Sequence, residues 1–400
     1  MLNRRTLLTA AAATLAAPAV IARAEDAPGV TATAIKIGNT NPHSGPASAY
    51  GAIANADAAY FRMLNDQGGI NGRKIDFISY DDGYSPPRTV QQTRRLVEQD
   101  GVAFIFNGLG TPCQTAVHAY MNAHKIPQLF VSTGADKWGD YAHFPWTMGW
   151  QPSYRTEATI YAKHILAEKP DAKIAVLYQN DDFGKDYLAG LKDGLGAKYA
   201  GMVVKEVSYE TTDPTIDSQV VTLQGTGATA LVTAATPKCA AQTIRKVAEL
   251  NWHPLHFMTN VSVSVGAVIK PAGVQNAVGL ITGSYQKDAT DPQWANDAGM
   301  KEWLAFMQKY MPGADITDNN LTYGYGVSMT MAQVLKQCGG DLSRASVMKQ
   351  AANLKDLEIP TLLPGIRVNT SPTNYHPIRA MQLARWDGKT WKLFGEVISA

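Results

Sequence analysis

The sequence predicts an α/β protein made of two doubly wound parallel-sheet lobes. Three observations predict it. Strand-like and helix-like segments alternate from Ala34 onward with short links, which is the signature of parallel β-α-β units with a sheet buried on both faces. The alternation pauses at "FPWTMGWQPSYRTEA" and restarts as a second, similar series. The chain has 400 residues, too many for one ordinary core.

The elements follow in order. A strand from Ala34 to Asn39 leads through "NPHSGPASAYG" into a helix from about Tyr50 to Asp66, which Gly68-Gly69 end because glycine takes the left-handed cap without strain. Asn71-Gly72 form a turn, "KIDFISY" alternates as a strand, and "SPPRTVQQTRRLVEQD" is a helix with proline in its first turn. "VAFIFNG" is a continuous apolar strand, followed by a helix over Gln114 to His124 and the strand "PQLFVST". The second series runs through a helix from Tyr154 to Glu168, the strand "KIAVLY", a helix from Gly184 to Gly194 and the strand "MVVKEVSY". It continues with "ATALVTA", the helix "CAAQTIRKVAEL" and the strand "LHFMT". The two series join near Gly149 to Pro152, and "VGLITGSYQKD" is a second crossing. Helices at Trp294 to Tyr310, Tyr325 to Cys338 and Arg344 to Leu354 return to the first lobe, and the end is two strands around an Asp387-Gly388 turn.

The N-terminus is a separate object. Arg4-Arg5 precede an acid-free apolar run from Leu7 to Ile21, and Ala22-Arg23-Ala24 has small residues where a signal peptidase reads. Residues 1–24 are therefore expected to be a cleaved export signal, and the paired arginines resemble a twin-arginine signal. Loss of Arg4, Arg5 and Arg23 takes the formal charge from +2 to −1, which argues against a nucleic-acid surface with its many clustered cations. Cys113, Cys239 and Cys338 lie far apart, with no Cys-x-x-Cys, and are expected as small buried hydrophobes.

Catalytic motifs are missing: no His-Glu-x-x-His, Gly-x-Ser-x-Gly, Walker loop or Rossmann glycine fingerprint occurs. The carboxylate pairs Asp81-Asp82 and Asp181-Asp182 each follow a strand, where capping is the expected role. His43 is expected as a polar loop residue. Hydroxyl and small residues recur just after strands: Ser44, Ser48 and Tyr50 after the first, Thr111 after the third, and Ser132, Thr133 and Gly134 after the fourth. Ligands of open parallel sheets bind beyond the carboxyl ends of the strands, and hydroxyls with backbone N–H groups at helix N-termini suit a small anion. The absence of lysine or arginine from the opening loop favours a carboxylate over a phosphate.

"IKIGNTNPHSGPASAYG", "MLNDQGGINGRKIDFISYDDGYSP" and "GVAFIFNGLGTPCQTAVHAYMNAHKIPQL" closely resemble the periplasmic solute-binding proteins of ABC transporters, of the leucine/isoleucine/valine-binding type. The Ser-Gly-Pro…Tyr-Gly loop, the Gly-Gly-Ile-Asn-Gly turn and the Asp-Asp…Pro segment carry the likeness jointly. It implies a type I periplasmic binding protein fold, with three crossovers and a ligand cleft between the lobes, the third crossover near Pro360 to Pro364. Lobe 1 would then be residues 30–150 plus 285–361, and lobe 2 residues 151–284 plus 362–400. It further implies a periplasmic monomer with no cofactor, a small organic acid or amino acid as ligand, and an ABC permease as partner.

By position, the resemblance makes Thr111 a carboxylate-binding residue, Thr133 and Ala135 the next carboxylate loop, Tyr50 an aromatic wall and Phe183 an aromatic of the second lobe. Three departures stand out. Ala135 replaces an expected hydroxyl. Tyr84 and Gly110 stand where the family's disulfide would be. The glutamate that holds the ammonium of amino acid ligands aligns with about Val261, in "NVSVSVG", where no acid is near, although Asp288 or Asp291 from another loop could serve. Arg155 could assist the carboxylate, and Trp150, Tyr154, Tyr285 and Tyr323 would complete an aromatic cleft. An aromatic carboxylate of benzoate or cinnamate type is therefore expected ahead of a branched-chain amino acid. A sensory subunit and a secreted α/β hydrolase are the rival functions.

Overall fold

The computed structural model describes residues 27–399; the expected export signal lies outside them. The first sheet consists of β1 (Ala34–Asn41), β2 (Lys74–Asp81), β3 (Phe104–Phe106), β4 (Gln128–Val131) and β5 (Thr147–Gly149), in the order β2-β1-β3-β4-β5. All its pairings are parallel, with Ile37 of β1 opposite Phe77 of β2 and Phe104 of β3. Every residue of β3 and β4 is buried, as expected for central strands covered on both faces.

The second sheet begins with β6 (Ile174–Gln179), β7 (Val203–Tyr209), β8 (Ala230–Ala234), β9 (Leu255–Met258) and β10 (Ile281–Ser284), which pair in parallel. It ends with β11 (Ala380–Trp386) and β12 (Trp391–Ser399), an antiparallel hairpin on the β10 edge, giving the order β12-β11-β10-β9-β8-β6-β7. The hairpin turns at Asp387-Gly388: Gly388 has φ 96°, and the Asp387 carboxylate accepts from the backbone N–H groups of Lys389 and Thr390, both at 2.8 Å. Among the described residues, no helix is long and apolar enough to cross a membrane.

Helices Ala298–Tyr310, Asn320–Cys338 and Arg344–Ala351 return to the first sheet. Arg344 donates to the Ala103 carbonyl at 2.8 Å, and Ser328 donates to Asp57 of helix Gly51–Asp66 at 2.9 Å. The long helix starts at Asn320, five residues before the expected Tyr325. Gly324 and Gly326 read as weak helix positions in sequence, but here each makes room for a neighbour.

Two crossings run side by side. Lys287 N donates to Thr361 O at 2.8 Å, and Leu363 N donates to Tyr285 O at 2.9 Å. The chain then turns back at Pro364-Gly365, where Gly365 has φ 83°. Val368 N donates to Leu357 O at 3.0 Å and the Tyr375 hydroxyl to Pro145 O at 3.2 Å, so this stretch lies with the first lobe. The second sheet is re-entered at Ala380, later than a final crossing near Pro360 to Pro364 would put it.

Helices Gly51–Asp66 and Asn320–Cys338 approach closely at Gly324, where an added Cβ would stand 2.7 Å from the Ala56 methyl and 2.8 Å from Ile53 O. Neither neighbour is a flexible side-chain tip. Gly324→Ala is therefore expected to cost about 1–3 kcal/mol by overpacking, measured as a lowered midpoint in chemical denaturation.

Candidate functional site

The carboxyl ends of both sheets face one another across a cavity, with about 40 Å³ open to the centres of water-sized groups. From the first lobe, Tyr50, Tyr84, Gly110, Thr111, Ser132 and Thr133 line it, joined by Asn319, Asn320 and Tyr323 from the start of the long helix. From the second lobe come Tyr154, Phe183, Thr236, Asn260 and Val261, and the crossings add Gln151, Tyr285 and Gln286. No lining residue carries a charge.

Local backbone geometry aims the polar groups. Thr111 opens helix Thr111–Ala123 and lines the cavity; Pro112 after it has no N–H, so the helix start offers the Thr111 hydroxyl and its own N–H. Gly110 before it has φ 97°, and a Cβ there would lie 2.6 Å from the Tyr84 ring. In β4, the register against β5 shifts at Phe130, which has φ 54°. Such an irregularity re-aims the residues that follow, here Ser132 and Thr133. The Thr111 and Thr133 hydroxyls are hydrogen-bonded to one another. Gln151, 4% exposed, presents an Nε2 group with no partner among the described residues. An unmet buried donor at a cavity wall suits an acceptor on a bound molecule.

The aromatic residues are mutually supported. The rings of Tyr154 and Phe183 are 4.6 Å apart. Trp150 does not line the cavity: it is fully buried behind it, donates to Thr330 at 3.0 Å, and meets Tyr323 edge-on at 5.1 Å. The lobes touch around the rim, where the Tyr50 hydroxyl shares a 3.2 Å hydrogen bond with Ser262 and Gln179 donates to the Tyr84 hydroxyl at 3.3 Å.

Of the residues expected at the site, Tyr50, Thr111, Ser132, Thr133, Tyr154, Phe183, Val261 and Tyr285 stand on the wall, as does Tyr323. The others lie elsewhere for identifiable reasons. Ser44 turns outward and bonds the Asp81 carboxylate, itself paired with Arg88 at 3.2 Å. Arg155 points to the surface and pairs with Asp193 at 2.5 Å. Ala135 packs with Val131 and Trp138. Gly134 sits under Tyr154, whose ring would be 2.9 Å from an added Cβ. The residues not anticipated are Tyr84, Gln151, Thr236, Asn260, Gln286, Asn319 and Asn320. Thr236 and Asn260 follow β8 and β9, so the strand-end pattern used for the first lobe could have found them.

The carboxylate pairs act in turns. Asp82 accepts from Tyr84 N and Thr89, and Asp181 accepts from Gly184 N at the start of helix Asp182–Leu195. His43 bonds Ser79 at 2.7 Å. The three cysteines are buried and unbonded.

Residues 34–390 match the family model described as "Periplasmic binding protein". The chain belongs to that family. Relatives include an "Amino acid binding protein" of Pseudomonas aeruginosa, 24% identical over 77% of this chain and 79% of the relative. The "Leucine-, isoleucine-, valine-, threonine-, and alanine-binding protein" of the same organism is 24% identical over 41% of this chain, and the match spans 43%, less than half, of that relative. Among solved structures, a branched chain amino acid ABC transporter protein from Thermus thermophilus with bound valine has a TM-score of 0.82 at 14% identity, covering 92% of this chain and 97% of that one. A fatty acid ABC transporter substrate-binding protein from Thermomonospora curvata has a TM-score of 0.77 at 20% identity, covering 94% and 95%. These likenesses show the type I periplasmic binding protein fold.

In this family member the ionisable groups stand one residue behind the wall. Glu157 is fully buried and accepts from Tyr187 at 2.6 Å and from Asn260 N at 2.8 Å, as well as from the Asn260 carboxamide and Tyr161. Burial pushes its carboxyl up to about 7 against those stabilising bonds. Asp57 accepts from Asn107 at 2.7 Å and from Ser328, and burial pushes it up to about 8.

Both groups hold protons in the folded chain at pH values where the unfolded chain has lost them, so their own contribution to stability is lost as pH rises from about 4 to 8. Buried His118 and His256, pushed down to about 4 and about 3, act in the opposite sense over the acid part of that range. The carboxyl contribution is therefore read as a difference: the denaturant midpoint of the native chain minus that of Asp57→Asn, or of Glu157→Gln, should decrease as pH rises.

Proposed function

We propose that this chain is a periplasmic solute-binding protein that delivers a small carboxylate to an ABC importer, and that the ligand is an aromatic acid of benzoate or cinnamate type. The observation that carries the ligand class is the uncharged wall. A zwitterionic amino acid would bring an ammonium into a buried cavity with no carboxylate on it, and an unpaired buried ammonium costs several kcal/mol even after relaxation. A carboxylate meets donors: the Thr111 and Thr133 hydroxyls, the Gln151 amide and the Thr111 N–H at the start of helix Thr111–Ala123. The remaining surface is largely rings, from Tyr50, Tyr84, Tyr154, Phe183, Tyr285 and Tyr323. Offset or edge packing on these favours a planar ring by roughly 0.5–1.5 kcal/mol per pair.

Asp288 and Asp291, the acids that could have served an ammonium, do not line this cavity, although Asp288 lines the one adjoining it. A branched-chain amino acid is the second reading, favoured by the named ligands of several relatives and by the structural neighbour with bound valine. Delivery to a permease rests on family membership and on the export signal expected over residues 1–24.

Calorimetry with benzoate, p-coumarate and leucine tests the proposal. Binding of the aromatic acids with little response to leucine is expected; tight leucine binding with none to the acids would overturn it. Thr111→Val should weaken binding of the acid by about 1.5–3 kcal/mol, the range for a hydrogen bond to a charged group.

A further inference from the structure

A second, smaller cavity adjoins the first. The two share Asn260, Tyr285, Gln286 and Asn319, and the second runs under the crossing segment to Asp288, Ala384 and Trp391 at the edge of the second sheet. Its room for the centres of water-sized groups is about 30 Å³. One such group needs roughly 10–15 Å³, so the space admits a small polar group.

The fully buried polar atoms without a partner there are acceptors. Gln286 Oε1 is buried without a partner, and so is Asp288 Oδ2. The other Asp288 oxygen takes Thr290 N at 2.8 Å and the Thr290 hydroxyl at 2.9 Å. The nearby Lys287 is committed elsewhere, to Asp297 and to Pro360 O, both at 2.8 Å. Among the described residues no cation pairs with Asp288 within 4.0 Å. The first cavity offers donors at Thr111, Thr133 and Gln151, whereas this one offers two unmet acceptors. A buried acceptor without a donor costs free energy that a bound group can recover.

Building on the aromatic-acid reading, we propose that the second cavity is a subsite for a hydrogen-bond donor at the far end of the ligand, which makes the ligand a hydroxyaryl carboxylate. The carboxylate is held at the Thr111 end, the ring spans the aromatic wall, and the ring hydroxyl shares its one proton between Asp288 and Gln286 in a three-centre bond. A branched-chain amino acid does not satisfy this arrangement, because its one donor group and its carboxylate sit on the same carbon. Neither does an unsubstituted aromatic acid, which has nothing to donate.

The test is calorimetry on the full mature chain with 4-hydroxycinnamate, cinnamate and 4-methoxycinnamate. The methoxy compound keeps the oxygen but has no proton to give. The hydroxy compound should bind about tenfold or more tightly than either of the others. In Asp288→Ala, and separately in Gln286→Leu, the ratio of hydroxy to methoxy affinity should shrink towards one. If cinnamate binds and the hydroxyl adds less than about twofold, or if the preference survives in Asp288→Ala, the subsite is overturned and the aromatic-acid reading stands. If none of the three binds while leucine does, both fall. Should a variant fail to fold, the ligand series on the native chain decides alone.

Discussion

Parallel pairing of β1, β3 and β4 puts their carboxyl ends on a single edge, and the cavity depends on that edge. The strands run the same way, so Asn41, Asn107 and the Ser132 loop emerge together, and the helix after β3 begins among them at Thr111. The first turn of that helix has N–H groups that no residue of the helix can satisfy. An edge built this way collects donors without a cation. The second sheet repeats the device: Phe183, Thr236 and Asn260 follow β6, β8 and β9. The crossings at 149–153 and 285–287 hold the two edges face to face, and both also contribute to the wall through Gln151, Tyr285 and Gln286.

Charge is kept one step back, and this changes what the wall can offer. Glu157 takes both the backbone N–H and one side-chain N–H of Asn260, which fixes how that carboxamide faces the cavity. Asp181 takes the amide of Gln179, which also reaches the Tyr84 hydroxyl. Asp57 takes the amide of Asn107, whose oxygen receives the Tyr323 hydroxyl at 3.4 Å. The buried carboxylates thus orient neutral groups without presenting their own charge to a ligand. Each is desolvated enough that its carboxyl sits above the usual range.

Much of this organisation was legible in the sequence, because strand and helix periods and strand-end hydroxyls are local signals. β1 and helix Gly51–Asp66 lie within a residue or two of where the pattern puts them, and the strand-end hydroxyls of Thr111 and Thr133 belong to wall residues, whereas Phe183 is expected there from the family resemblance alone. What stayed hidden depends on contacts between distant segments. Asn319 and Asn320 reach the cavity because the long helix begins early, and Gly324 and Gly326 disguise that start. Each glycine is there to admit a neighbour, Ala56 or Ile359, that no local pattern reveals. Arg155 shows the opposite case: its position after the crossing suggested an anchor, yet Asp193 on the adjacent helix draws it to the surface. Ser44 is drawn off by Asp81 in the same way. A side chain's direction is set by its partners, and those partners lie 37 or 38 residues away along the chain.

Tyr84 and Gly110 carry the clearest physical consequence of a departure from the family pattern. Where the resemblance leads one to expect a disulfide, a ring packs against a glycine that has room for nothing else. A disulfide stabilises in large part by restricting the unfolded chain, whichever way the lobes are placed. The Tyr84 ring contributes nothing to the unfolded chain, but it lines the cavity and its hydroxyl accepts from Gln179 of the opposite lobe. Part of the interaction at this position is therefore made only when the lobes approach. The exchange removes a constraint internal to one lobe and supplies a contact that depends on the other. It also places an aromatic face on the same wall as Thr111.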